Sequence, residues 1–165
     1  MTERDRTCCF SGYRPGKLPG FGQEHLACSA EIKDRLRTAV LSAVREGYVN
    51  FISGMSLGFD LWAAETVLAL REQAGIFLTC AVPFPKQAAG WDRRDIARYD
   101  AVMRQADFTY LISKTYTPAC YQARNRFMVD NSARLICFYD GQAGGTANTV
   151  YYARMQGIAI CNLAR

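Results

Sequence analysis

Short apolar runs alternate with longer stretches of helical periodicity along the whole chain. Cys8-Cys9-Phe10 lies inside a predicted strand over Thr7–Ser11. Ile32, Leu36, Val40 and Val44 recur every four residues in a predicted helix from Glu24 to Glu46, and Gly47 follows as its C′ residue. Tyr48–Ser53 reads as a strand and Leu57–Gln73 as a helix with Leu57, Leu61, Ala64 and Leu68 on one face, closed by Gly75. Ile76–Val82 is almost continuously apolar, as expected of a strand covered on both faces in a parallel sheet. Beyond Pro83-Phe84-Pro85, a helix is predicted over Trp91–Gln105 and a strand over Asp107–Ser113. Gln122–Asn131 (helix), Arg134–Tyr139 (strand), Thr146–Gln156 (helix) and Ile158–Cys161 (strand) complete the series. Strict β-α alternation predicts an α/β fold: one domain built on a doubly wound, mainly parallel sheet with helices on both faces.

Composition narrows the class. The chain has 165 residues, of which 50% are hydrophobic and 21% charged, enough apolar material for a full core in one domain. No apolar run approaches the roughly 20 residues needed to span a bilayer, and the N-terminus lacks a signal-peptide pattern, so a cytoplasmic address is expected. The seven cysteines include no C-x-x-C pair, and His25 is the lone histidine, which argues against a metal site. Most of the cysteines fall in or beside predicted strands, as small core residues do. Cys120, in a loop near Arg124 and Arg126, is either a reactive thiol or a helix-start residue. The net charge of +5 is modest, and Asp92, Asp95, Asp100 and Asp130 interleave with the arginines. This dilution disfavours a nucleic-acid partner, whereas a small anion needs only one or two arginines.

Candidate chemistry concentrates where strands turn into helices. After the strand ending at Tyr139, Gly144-Gly145-Thr146 opens a helix whose first N–H groups lack intrahelical acceptors, a place suited to a phosphate. Ser53-Gly54-Met55-Ser56-Leu57-Gly58-Phe59-Asp60 repeats that grammar, and Ser11-Gly12-Tyr13-Arg14-Pro15 does so a third time. Three such junctions predict one cleft beyond the carboxyl ends of the strands. Ser11 and Ser53 can each bond a phosphate or a neighbouring backbone group. Arg14 and Arg124 can neutralise an anion, Asn125 can read a base or ribose edge, and Tyr121 can stack on a base or pack over the sheet edge. Asp60 can take a ribose hydroxyl, serve as a base, or cap a helix. Arg124 or Arg126 can instead pair with Asp130 on the helix surface. Trp91 is placed at the cleft rim.

Taken together, Ser11-Gly12-Tyr13-Arg14-Pro15, the Phe51–Asp60 stretch with Leu61-Trp62-Ala63-Ala64-Glu65, Pro83-Phe84, Tyr121-Gln122-Ala123-Arg124-Asn125 and Tyr139-Asp140-Gly141 with Gly144-Gly145-Thr146 resemble the YpsA-like family of the SLOG superfamily. The resemblance spans nearly the whole chain. It implies a Rossmann-like fold and a nucleotide or nucleotide-derived ligand, related to ADP-ribose and NAD or to a nucleoside monophosphate, held at the glycine loops. Relatives in that superfamily include DNA-processing proteins of the DprA type and LOG phosphoribohydrolases. The LOG signature Gly-Gly-x-Gly-Thr-x-x-Glu is matched here at Gly145-Thr146, but Thr149 fills the position of its catalytic glutamate. A threonine cannot supply the carboxylate that steadies an oxocarbenium charge. Residues and resemblance together point to a ligand-binding sensor, with phosphate and other ligand contacts from Ser11, Gly12, Arg14, Ser53, Gly54, Gly58, Arg124, Gly144, Gly145 and Thr146, and with Asp60 and Asn125 selecting ribose or base. N-glycosidic hydrolysis would need Asp60 or Asp130 in place of the missing glutamate, and single-stranded DNA binding is the third reading. A homodimer is compatible with such folds.

Overall fold

A computed structural model describes residues 2–164. Six strands form one sheet: β1 (Thr7–Ser11), β2 (Asn50–Ser53), β3 (Phe77–Val82), β4 (Phe108–Leu111), β5 (Arg134–Cys137) and β6 (Ala159–Asn162). The helices between them are α1 (Ala27–Arg45), α2 (Phe59–Ala74), α3 (Arg93–Gln105), α4 (Cys120–Asp130) and α5 (Gly145–Met155). All five strand pairings are parallel, in the order β4-β3-β2-β1-β5-β6. The alternation expected from the sequence is present in full, with boundaries shifted by a few residues.

Alternate side chains along the strands go to opposite faces. Cys8, Phe10, Phe51, Leu78, Cys80 and Ile136 point to one face, where Leu36, Val40, Leu61, Val67 and Val102 of α1, α2 and α3 cover them. The alternate residues Cys9, Ile52, Ala81, Leu135 and Cys137 point to the other face, under Met128 and Val129 of α4 and Val150 and Ala153 of α5. The chain steps from β1 to β4 in one direction along the sheet. It then crosses back to lay β5 on the free side of β1. The two windings part between β1 and β5, and a crevice opens beyond their carboxyl ends.

Desolvation pushes the Cys9 and Cys80 thiols up to about 12, so these two cysteines are core side chains with negligible thiolate. Cys120 is the first residue of α4 and is also buried. His25 is exposed in a turn before α1. β4 is an edge strand with Phe108, Tyr110 and Leu111 half exposed, unlike the buried β3 beside it.

Candidate functional site

The loop after β1 is the hub of the crevice. Gly12 lies so close to α2 that a Cβ there would collide with the Phe59 ring. Tyr13 follows, buried, with its ring edge-on to Phe138 at 6.1 Å. Its hydroxyl donates to Asp140 Oδ1 (2.7 Å) and accepts from the N–H groups of Asp140 (3.2 Å) and Gln142 (3.1 Å). The Tyr13 carbonyl in turn accepts from Phe59 N (3.2 Å). One residue thus ties the loops after β1 and β5 to the start of α2. Two short 3-10 turns, Pro15–Lys17 and Pro19–Gly22, continue as a strap. Lys17 Nζ reaches across and donates to the Ala143 carbonyl (2.6 Å), beside the Gly144-Gly145 turn.

That turn has the geometry its glycines permit. Gly144 has φ +139°, a region side chains rarely adopt, and a Cβ on it would come within 2.8 Å of Lys17 Nζ. Gly145 opens α5 with free space where a Cβ would point. No side chain caps the helix, so its first N–H groups carry the partial positive charge of the helix end toward the crevice.

Opposite this turn, α4 delivers Arg124. Although an arginine, it is 4% exposed. Its Nη1 donates to the Gly54 carbonyl, Nη2 to Ser56 Oγ (3.3 Å) and Nε to Asn125 Oδ1 (2.8 Å). Gly54 is small for this reason, since a Cβ would sit 2.9 Å from the guanidinium. The Tyr121 ring is met by two guanidiniums, with Arg14 Cζ 5.1 Å and Arg124 Cζ 5.7 Å from its centroid, and meets Phe84 edge-on.

Asp60, the second residue of α2, is 5% exposed, and its Oδ1 has no hydrogen-bond partner. Desolvation lifts its carboxyl from the ordinary aspartate range to about 6, against the pull of Arg124, the Ser56 N–H, Arg14 and the Gly12 N–H. Burial in turn lowers the Arg124 pKa, and Asp60 draws it back up.

These groups enclose a cavity of about 350 Å³ lined by residues from all three junctions and from α4. Of the twelve expected ligand-binding residues, Ser11, Gly12, Arg14, Asp60, Arg124, Asn125, Gly145 and Thr146 line it. Gly144 stands just behind as the residue before α5. Ser53, Gly54 and Gly58 lie outside the lining. Ser53 Oγ donates to the Asp60 carbonyl (2.8 Å) and accepts from Met55 N (3.2 Å), which fixes the turn into α2. Gly58, at φ +92°, leaves room for the Tyr13 carbonyl, 2.7 Å from where its Cβ would be.

Asp130 does not line this cavity: it accepts from Tyr152 Oη (2.8 Å), and neither Arg124 nor Arg126 pairs with it. Arg126 instead stacks on the Tyr152 ring, at 5.3 Å. Trp91 packs edge-on to Tyr99 rather than at the cavity rim. Tyr13 and Lys17 line the cavity although the sequence did not single them out. Their signal was a tyrosine and a lysine inside a Gly/Pro-rich loop, but its direction depended on a turn 126 residues away in the chain.

In total the cavity presents the cations Arg14, Lys17 and Arg124 against a single carboxyl, Asp60. Among the described residues neither Arg14 nor Lys17 is in an ion pair. The lining therefore carries a net positive charge and one buried acceptor, Asp60 Oδ1. No group of three or more histidine, cysteine or acidic side chains among the described residues could hold a metal ion. No helix among them is long and apolar enough to cross a membrane.

Comparison with known proteins places this architecture. A UPF0398 protein of Listeria monocytogenes serotype 4a (strain HCC23) is 28% identical over 153 residues, covering 92% of this chain and 84% of its own. A UPF0398 protein of Bacillus thuringiensis (strain Al Hakam) is 30% identical over 146 residues, covering 87% of this chain and 79% of its own. Among solved structures, DNA processing protein A (DprA) from Streptococcus pneumoniae aligns with a TM-score of 0.66 at 14% identity, over 97% of this chain and 50% of that one. DprA from Helicobacter pylori, in a structure described by its single-stranded DNA binding mode, aligns at 0.64 and 14% identity, over 97% of this chain and 66% of that one. The present chain therefore spans half to two thirds of the DprA chains and shares their fold. The model of the YspA SLOG family matches residues 8–159, and with that match across nearly the whole sheet the chain belongs to this family, YpsA, of SLOG proteins.

Proposed function

We propose that the protein binds a nucleotide or nucleotide-derived ligand, of the ADP-ribose and NAD type or a nucleoside monophosphate, and acts as a sensor of it. The observation that carries this reading is the combination in one cavity of an uncapped helix end at Gly145-Thr146, three cations and a buried carboxyl with a free oxygen. Phosphate sits at the α5 N-terminus, between Lys17 and Arg14. The ribose donates a hydroxyl to Asp60 Oδ1. Arg124, already engaged with Gly54, Ser56 and Asn125, holds that wall rigid and keeps Asp60 from being an isolated charge.

Two other readings have support of their own. Asp60 is a carboxyl of raised pKa in the cavity, as a general acid for N-glycosidic cleavage would be. The likeness to the DprA structures favours single-stranded DNA as the polymeric form of the same phosphate ligand.

Calorimetry with AMP, ADP-ribose and NAD tests the binding reading, and chromatography of the same mixtures for freed base tests hydrolysis. Sulfate, whose charge is constant between pH 5 and 8, isolates the anion site. Above about 6, Asp60 is charged and repels it; below that value the proton removes the repulsion. Sulfate affinity is therefore expected to rise roughly tenfold from pH 7.5 to pH 5, and Asp60→Asn is expected to be tight and flat across this range. A flat profile in the wild type would separate Asp60 from the anion site.

A further inference from the structure

A second groove, of about 380 Å³, runs between α4 and α5 and is lined by Gln122, Asn125, Arg126, Asn148, Tyr151 and Met155 among others. It begins where the first cavity ends: Asn125 lines both. On α5 the cavity takes Gly145 and Thr146 and the groove takes Asn148, Thr149 and Tyr151, so one ligand can follow the same pair of helices outward.

Its lining has the chemistry of base recognition. Tyr151 and Met155, four residues apart on α5, are 65% and 64% exposed, a large apolar surface left facing water. Arg126 lies over the Tyr152 ring and makes no ion pair among the described residues. Asn125 has its amide oxygen taken by Arg124, which leaves its two N–H donors for whatever crosses from cavity to groove. Aromatic faces beside an arginine and side-chain amides suit a planar heterocycle joined to a phosphate. Thr149, where LOG enzymes carry glutamate, is buried with its hydroxyl turned back to the Gly145 carbonyl (2.9 Å), so this position sets no carboxylate between the two sites.

We infer that this groove holds the base of a second nucleoside unit, linked through phosphate to the unit in the first cavity. The inference rests on the nucleotide reading of that cavity and names the ligand class: two nucleosides bridged by phosphate. Such a ligand is either a free dinucleotide or a stretch of single strand, and both present a base and a bridging phosphate to Tyr151 and Arg126.

Calorimetry on the full chain with AMP, NAD and a ten-residue oligothymidylate separates the outcomes. NAD, or the oligothymidylate if the source is a strand, is expected to bind about tenfold more tightly than AMP. Tyr151→Ala and Arg126→Ala, both surface changes, are expected to remove that advantage and leave AMP affinity as it was. The inference is overturned if neither two-unit ligand exceeds AMP, or if the advantage survives both substitutions. It is also overturned if sedimentation shows that Tyr151→Ala splits a dimer, since a second copy would then be the occupant. Loss of AMP binding in the wild type would instead remove the nucleotide reading itself, and the inference with it.

Discussion

Gly145→Asp is expected to fold as well as the parent and to lose nucleotide and sulfate binding about a hundredfold or more. The position is the first of α5, and a Cβ there meets open space, so the fold has no steric objection. An acidic side chain at a helix N-terminus even adds about 0.3–1 kcal/mol of stability. The same carboxylate would lie where the ligand phosphate is proposed to sit. Two like charges about 5 Å apart near a protein surface repel by roughly 3 kcal/mol, which is about a hundredfold in affinity. Gly144→Ala is the contrasting control: at φ +139°, with Lys17 Nζ 2.8 Å from the new Cβ, it strains the turn and lowers stability. Thermal melts and calorimetry on the two variants separate a binding defect from a folding defect. Unchanged affinity in Gly145→Asp would remove the helix end from the site.

Arg124→Leu is expected to destabilise the fold by about 3–5 kcal/mol at pH 7.5, a large share of a typical domain's stability. The substitution strands the Gly54 carbonyl and Ser56 Oγ and leaves Asp60 as an uncompensated buried charge. Asp60 already has its pKa raised to about 6 with the arginine present, and without it the carboxyl titrates higher still. The sign follows: at pH 5 Asp60 is protonated in the folded variant, the stranded charge is gone, and the penalty shrinks. Asp60→Asn in the Arg124→Leu background removes the same charge at every pH, so the double variant is more stable than additivity allows. Chemical denaturation at pH 5 and 7.5 measures both effects. Equal penalties at the two pH values would mean that Asp60 and Arg124 are not coupled.

Local pattern carried most of the architecture. Strand alternation needs only period and length, so β1 was read at its observed limits, and Gly75 closes α2 in the left-handed conformation that a C-terminal glycine supplies. Boundaries slipped where the chain leaves the sheet before its apolar run ends, as at Tyr139, which lies beyond β5. The edge position of β4 was not legible, because Phe108, Tyr110 and Leu111 look like core residues until strand order shows that no strand lies beyond them.

The site was legible where backbone chemistry defines it, at Gly12 and Gly145-Thr146. It was obscure where long side chains cross between elements. Arg124 reads as an anion contact or a surface ion-pair partner, but spacing gives no sign of its burial, which arises because the loop after β2 offers a carbonyl and a hydroxyl to its guanidinium. Lys17 reads as a residue of a Gly/Pro-rich loop, yet it ends on the turn before α5. Ser53 reads as a ligand group, yet it closes its own turn. Sequence spacing cannot distinguish these outcomes, since each depends on which loop lies opposite across the β1–β5 crevice.

The proposed function requires that the loops after β1, β2 and β5 form a single anion-binding chamber. A crystal structure of the protein soaked with ADP-ribose tests it most directly. A phosphate is expected within hydrogen-bonding distance of the Gly145 and Thr146 N–H groups and of Lys17 or Arg14, with a ribose hydroxyl on Asp60 Oδ1. Ligand density anywhere else, or an empty chamber at a concentration where calorimetry records binding, would contradict it.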